Sequence, residues 1–167
     1  MQVAARYGST PVPQSLLTLA SGQPSVTGTG ALQWIEVFNE VNNLNWGVSR
    51  NEFFSPYEYA AMLSAAYDGH GGALGAGYGA RTADPSIKVA MSGLQSTGPS
   101  AMLDYIKAIN YWAQGHRPNG DFPAQAINVH LWVTLQVFIM SPNLIFNLLL
   151  HLLQLLPKRW RVWRYFA

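Results

Sequence analysis

Three short apolar runs, separated by two helical segments, restrict the folds that this chain can adopt. The runs lie at residues 32–40, 87–91 and 126–130, and their branched or aromatic side chains are typical of strands. Helical segments begin between these runs, at Ser55 and at Pro99. Alternation of strand and helix predicts parallel strands joined by helical crossovers. The sequence therefore predicts an α/β fold.

The first helix is predicted by the clearest local motif in the chain. Ser55 is a suitable N-cap, Pro56 fits the first helical position, and Glu58 completes a capping box with Ser55. Alanine, methionine and leucine side chains follow, and we expect this helix to run to about Tyr67.

Weaker patterns predict the second helix and the N-terminal segment. From Pro99 onward the apolar side chains recur with a helical period, and Gly115 is expected to be the C-terminal cap. Residues 2–7 form a short apolar stretch that predicts a strand. The same stretch has no basic region ahead of an apolar core, so it is not typical of a signal peptide. Residues 8–31 and 69–85 are rich in turn-forming residues and are predicted to be loops.

The composition favours a folded domain and excludes several kinds of site. The 167 residues suit one ordinary domain, and 49% of them are hydrophobic whereas only 11% are charged. Because the chain has no Cys, it has no disulfide, no thiolate zinc site and no cysteine nucleophile. Asp68 and His70 lie close together, but no third ligand follows them, so no metal site is predicted. Residues 75–79 lack the flanking strand and helix of a nucleotide-binding loop, and no cofactor is predicted.

The net charge of +2 conceals two different parts of the chain. Residues 1–132 hold six Lys and Arg together with all eight Asp and Glu, whereas residues 133–167 hold four Lys and Arg and no acid. The second part also has nine Leu and no Gly. We therefore divide the chain into a domain at 1–132 and an apolar, basic tail at 133–167. Because the domain carries no basic stripe, a nucleic-acid partner is not predicted.

The tail has three interpretations. Residues 131–156 carry no charge and precede four basic residues, which is typical of a transmembrane helix with a basic flank. Polar residues within that stretch favour instead an amphipathic or buried helix at residues 144–156. The abrupt change in composition favours a third interpretation, translation in a wrong reading frame beyond about residue 132. We rank this third interpretation above a membrane anchor.

Polar side chains collect at the ends of the three predicted strands. Asn39 and Glu40 end the first strand, Ser92 follows the second, and the third ends with Asn128 and His130. In a barrel of parallel strands these ends meet at one face. A carboxylic acid there can protonate a glycosidic oxygen, and a neighbouring amide can bind a sugar hydroxyl. The alternative for Glu40 is a solvated loop carboxylate.

At this point the sequence is similar to a known family. Residues 34–42 (WIEVFNEVN), followed by Trp46, resemble the Asn-Glu-Pro segment of the retaining glycoside hydrolases with a (β/α)8 barrel. That clan includes cellulases, xylanases, mannanases and β-xylosidases. The resemblance covers residues 1–132 and implies a partial TIM barrel, about strands three to six. Residues 6–8 would end the third strand.

The resemblance also implies roles for individual residues. Glu40 would be the general acid/base, and Asn39 would hold the 2-hydroxyl of the sugar. Three further residues would shape the sugar subsites: Trp46, His130 and Trp132. The implied substrate is a β-linked polysaccharide or oligosaccharide. The implied parent enzyme is extracellular or periplasmic and needs no cofactor.

Departures from the family pattern concern above all the second carboxylate. Val41 stands where the family usually has Pro, and no Asp or Glu follows Asp121. Glu36 lies four residues before Glu40, roughly 13 Å away in an extended strand, whereas retaining enzymes place their two carboxylates about 5–5.5 Å apart. We therefore expect this chain to lack the nucleophile and to be inactive alone. We expect Glu36 to form an ion pair with Arg6 inside the barrel.

Two other classes of function stay open. A non-catalytic carbohydrate-binding protein would bind oligosaccharides without hydrolysing them. A membrane-anchored protein would use residues 131–156 as its anchor. The sequence leaves localisation and oligomeric state open.

Overall fold

The computed structural model describes residues 1–43, 53–95 and 97–130. In chain order the elements are α1 (Gln2–Tyr7), a 3-10 turn (Gln14–Leu16), β1 (Trp34–Val37), α2 (Pro56–Asp68), α3 (Ala80–Ala83), β2 (Lys88–Met91), β3 (Leu94–Gln95), α4 (Pro99–His116) and β4 (Val129–His130). Trp46, Trp132 and the tail at 133–167, with its candidate membrane span, lie outside the described residues. None of the described helices is both long and apolar enough to cross a membrane.

Parallel pairing connects the strands in chain order. β1 pairs with β2, with Trp34 opposite Lys88 and Val37 opposite Met91. β3, just beyond β2, pairs with β4. An isolated parallel bridge joins Ala90 of β2 to the segment before β4. The crossovers between these strands carry α2 and α4. The described residues form two two-stranded parallel sheets and show no barrel, and the partial TIM barrel of about strands three to six stays a prediction.

Helix α2 begins as the sequence predicts. The Ser55 hydroxyl accepts a hydrogen bond from the Glu58 amide at 3.3 Å, and the Glu58 carboxylate accepts one from the Ser55 amide at 2.9 Å. The capping box is therefore confirmed. The helix ends at Asp68, because Gly69 adopts the left-handed conformation that closes a helix.

The core lies between the helices and one face of the strands. Ile35 and Val37 of β1 lie on the same face as Val89 and Met91 of β2, and α2 packs against α4. The largest fully buried side chains include Tyr59, Leu63, Ile87, Met91, Leu94 and Ile109. The opposite face of β1 carries the exposed side chain of Glu36. The strands therefore have a packed face and an open face.

The strand predicted at residues 2–7 is wrong, because these residues form helix α1. Ala4 and Ala5 are buried and α1 packs against α3, where Ala80 and Ala83 are also buried. Small side chains allow this close approach, and alanine is the best helix former. The assignment of residues 6–8 to the end of a barrel strand is wrong for the same reason.

The predicted end of α4 at Gly115 is also wrong. Gly115 lies inside the helix, which continues to His116 and has Arg117 as its C-cap. Ion pairs hold Arg117 to Asp68 and to Asp121. These contacts fix the chain at Arg117, and the helix therefore extends past the glycine.

Candidate functional site

The chain turns sharply after β1 and carries Glu40 over the end of β2. The Glu40 amide donates a hydrogen bond to the Gly93 carbonyl at 3.0 Å. Asn42 and Gln95 exchange two hydrogen bonds between side chain and backbone, at 3.0 and 2.8 Å. These contacts fix residues 38–43 at the carboxyl edge of the strands. We name this side of the sheet, where β1, β2 and β4 end, the carboxyl edge.

Glu40 and His130, two residues singled out in the sequence, meet at this edge. The Glu40 Oε1 lies 2.9 Å from Nδ1 of His130, although 90 residues separate them. The side chain of Glu40 is 7% exposed, and that of His130 is 33% exposed. The contact is a hydrogen bond between a carboxylate oxygen and an imidazole nitrogen. It is therefore an arrangement that can donate or accept a proton at the edge of an open surface.

The other oxygen of Glu40 has a local partner. Asn43 Nδ2 donates a hydrogen bond to Glu40 Oε2 at 3.1 Å, and the Asn43 amide donates to the Glu40 carbonyl at 2.9 Å. A carboxylate can accept about four hydrogen bonds. Glu40 thus has an oriented side chain with capacity left for a further donor.

The backbone is strained on either side of Asn39. Phe38 has φ 71° and Glu40 has φ 45°, which place both in the left-handed region that residues with a Cβ seldom adopt. The Phe38 ring packs edge-on against Phe54, with ring centroids 5.3 Å apart. Such conformations persist only when surrounding contacts enforce them, and they cluster at functional sites.

Glu36 has partners other than the one expected. Its carboxylate accepts hydrogen bonds from the Gly93 amide at 2.7 Å and from Asn128 Nδ2 at 3.0 Å. Arg6 instead donates to the Pro24 carbonyl at 2.6 Å. The predicted Glu36–Arg6 ion pair is therefore wrong, because α1 places Arg6 against the loop that follows it.

The remaining predicted residues have different positions. Asn39 is exposed at the turn, and its role towards a sugar hydroxyl stays a prediction. Ser92 is fully buried, and its hydroxyl donates to the Gly93 carbonyl at 3.3 Å, so its position is structural. Trp46 and Trp132 lie outside the described residues, and their sugar contacts stay predictions.

Tyr59 holds together the two strand ends next to the site, and the sequence analysis does not single it out. Its hydroxyl donates to the Val37 carbonyl at 2.8 Å and accepts a hydrogen bond from the Ser92 amide at 2.5 Å. Burial raises the pKa of Tyr59 above its ordinary value, so the hydroxyl remains a donor. Tyr59 thus joins the ends of β1 and β2. The one sequence signal for this role is the position of Tyr59 in the first turn of a helix with a clear N-cap.

Asn43 and Gly93 were also missed. Asn43 lies three residues after Glu40, within the Asn-rich segment that follows the strand, and that spacing is a usable signal. Gly93 contacts Glu36 and Glu40 through its backbone, for which the sequence offers no signal.

Metal binding and similarity to known proteins add no further assignment. Among residues 1–43, 53–95 and 97–130, no three His, Asp or Glu side chains are grouped so as to hold a metal ion. Comparisons with protein-family models, with curated proteins and with solved structures found no match for this chain.

Proposed function

We propose that this chain is part of a retaining glycoside hydrolase of the (β/α)8-barrel type, in which Glu40 is the general acid/base. The contact between Glu40 and His130 is the observation that carries the proposal. It brings a carboxyl group and an imidazole together at the carboxyl edge of parallel strands, where barrel enzymes place their chemistry.

The chemistry requires one group that first gives and then takes a proton. Glu40 protonates the glycosidic oxygen as the bond to the sugar breaks, and it then removes a proton from the water that completes hydrolysis. His130 orients the carboxyl group through Oε1, and Asn43 orients it through Oε2. In this proposal the sugar is bound by Asn39, Trp46 and Trp132. The roles of these three residues rest on the sequence resemblance.

The nucleophile is a second carboxylate that this chain does not contribute. No Asp or Glu follows Asp121 in the sequence. Glu36 lies in β1, whereas Glu40 lies in the turn that follows it, and the Glu36 carboxylate accepts hydrogen bonds from Gly93 and Asn128. We therefore expect no hydrolysis by the chain alone, because the anomeric carbon has no attacking group.

The first test supplies the missing nucleophile. With an alkyl β-glycoside of glucose, xylose or mannose, added azide can attack the anomeric carbon while the leaving oxygen takes its proton from Glu40. We expect azide-dependent formation of the glycosyl azide, at least 100-fold slower in Glu40→Gln, since a positioned acid contributes about 10²–10⁴-fold. Asp104→Asn, which changes an exposed carboxylate of α4, is the matched control and should react as the unchanged chain does.

A binding measurement accompanies the reaction. Titration of the isotopically labelled chain with β-linked oligosaccharides, followed by NMR, should shift the resonances of Glu40, Gly93 and His130. Product without dependence on Glu40, or no shift at these residues with any oligosaccharide, would overturn the proposal.

Non-catalytic carbohydrate binding is the second candidate. It is favoured by the hydrogen bonds that engage both oxygens of Glu36 and both oxygens of Glu40. Oligosaccharide binding at the Glu40–His130 contact without any azide-dependent product would select this function over hydrolysis.

A further inference from the structure

We propose that Gly93 is a positioning residue of the site, because the absence of a side chain at this position seats the imidazole of His130 against Glu40. The effect of this role on sugar binding rests on the function proposed above. The effect on the geometry of the Glu40–His130 contact is independent of that function.

The backbone of Gly93 contacts both carboxylate residues of the edge. Its amide donates to Glu36 Oε1 at 2.7 Å, and its carbonyl accepts from the Glu40 amide at 3.0 Å. The residue follows directly after β2 and Ser92, between β1 and the segment that ends in His130. Gly93 therefore lies at the centre of the group formed by Glu36, Glu40 and His130.

The space above Gly93 is filled by the His130 ring. A Cβ at position 93 would lie 2.9 Å or less from Nε2, Cδ2 and Cε1 of His130. Such distances are well inside van der Waals contact. The φ angle of Gly93 does not lie in the left-handed region, so an alanine there meets no backbone obstacle. Glycine is required here because any larger residue would overlap the His130 ring, and not because the backbone needs a glycine conformation.

An alanine at position 93 should displace the ring and leave the fold intact. The atoms in its way belong to the far end of one side chain, which is 33% exposed and can rotate towards solvent. Rotation removes Nδ1 from Glu40 Oε1 and breaks the 2.9 Å contact. Gly93→Ala is therefore a selective way to separate the two residues without replacing either of them.

NMR of the histidine side chain tests this directly. In the unchanged chain we expect cross-relaxation between the Gly93 α-protons and the His130 ring, and an Nδ1 resonance typical of a hydrogen-bonded nitrogen. In Gly93→Ala the Nδ1 resonance should move towards its position in Glu40→Gln, where the partner carboxylate is absent. Gly77→Ala is the matched control, since a Cβ there meets nothing within 4 Å. An unchanged Nδ1 resonance in Gly93→Ala would overturn the proposal.

A double-mutant cycle separates positioning from a general loss of stability. In a His130→Ala background the space above position 93 is empty, so Gly93→Ala should lower the melting temperature there by much less than in the unchanged chain. Equal losses in both backgrounds would contradict the proposal.

Oligosaccharide binding links the positioning role to function. Loss of the hydrogen bond that orients Glu40 should weaken binding by about tenfold in Gly93→Ala and not in Gly77→Ala. If no oligosaccharide binds the unchanged chain, the proposed function fails while the NMR result still decides the role of Gly93. If sugars bind and the Nδ1 resonance does not move, only the role of Gly93 fails.

Discussion

At the carboxyl edge of the strands, Glu36 and Glu40 each accept two hydrogen bonds, whereas two charged groups on the opposite side, where the strands begin, use all of their hydrogen-bonding capacity. We name that opposite side the amino edge. There Arg117 uses all five of its N–H groups, on Asp68, Asp121 and Ser64. A saturated group has no capacity for a ligand, and its contacts contribute to stability. A partly satisfied group with an oriented side chain keeps capacity for a ligand.

Asp84, just before β2, is the second saturated group of the amino edge. It is fully buried and accepts five hydrogen bonds, from the Ser9 amide, from the amide and hydroxyl of Thr10, and from the amide and hydroxyl of Ser86. These bonds attach the start of the long loop after α1 to the sheet. The comparison of the edges therefore predicts large losses of stability from changes at the amino edge and small ones at the carboxyl edge.

Arg117→Met should have the largest effect on stability. Its side chain is 1% exposed, and its removal takes five hydrogen bonds from Asp68, Asp121 and Ser64, although the Gly71 amide still donates to Asp68. Breaking a buried ion pair costs about 3–5 kcal/mol, and we expect a loss near the lower value because Asp121 is partly exposed. Urea unfolding measures it.

Lys107→Met is the control for Arg117→Met, since Lys107 forms an exposed ion pair with Asp104 along α4. We expect it to change stability by less than about 1 kcal/mol. Equal effects of the two substitutions would show that the contacts of Arg117 contribute no more to stability than an exposed ion pair does.

Asp84→Asn should cost about 2 kcal/mol, because the amide nitrogen that replaces one oxygen cannot accept hydrogen bonds. Burial acts to raise the pKa of Asp84, but hydrogen bonds from Ser86, Ser9 and Thr10 outweigh it and hold that pKa below its ordinary value. The stabilisation is therefore complete above the unfolded pKa of about 3.9 and is lost as the pH falls below it.

The pH dependence supplies the measurement for Asp84→Asn. In urea unfolding, the stability difference between the unchanged chain and the variant should shrink as the pH falls from 5 towards 2. Asp104→Asn is the control for an exposed carboxylate. A difference that stays constant over this range would show that the carboxylate charge contributes nothing.

Local sequence patterns predict where the main helices begin, but they do not predict the contacts between distant residues at the amino edge. The capping box of Ser55 and Glu58 and the helical period after Pro99 involve neighbouring residues, so the sequence predicts where these helices start. The bond between Arg117 and Asp68 joins residues 49 positions apart, and no local pattern contains it. Arg117, which makes this bond, is the C-cap of α4, so a local pattern that places the cap at Gly115 lacks the contact that distinguishes the two positions.

The candidate site likewise has residues that the sequence predicts and residues that it does not. Glu40 and His130 are predicted because polar residues at the ends of parallel strands meet at one edge. Residues 2–7 are ambiguous in isolation, because their alanines favour a helix whereas their valine favours a strand. The role of Gly93 depends on the space that a distant ring fills, and a glycine in a sequence carries no record of that space.

Glu40→Gly and Glu40→Ala should differ in stability, although both remove the same carboxylate. At φ 45° a Cβ is unfavourable, and glycine should be more stable than alanine by about 1 kcal/mol. Asn39, which has no positive φ, is the control, and there alanine should be at least as stable as glycine. If alanine is the more stable residue at both positions, the carboxyl edge stores no backbone strain.

Gly115→Ala should have the smallest effect, and its sign decides where α4 ends. A Cβ at Gly115 meets nothing within 4 Å, and its φ does not lie in the left-handed region. Alanine in a helix interior restricts the unfolded chain, so we expect thermal unfolding to show a gain of about 0.5–1 kcal/mol. Gly98→Ala is the control with the opposite sign, since Gly98 precedes the helix with φ 102°. Destabilisation by Gly115→Ala would mean that the helix ends at the glycine, and that Arg117 is not held at the amino edge by a continuous helix.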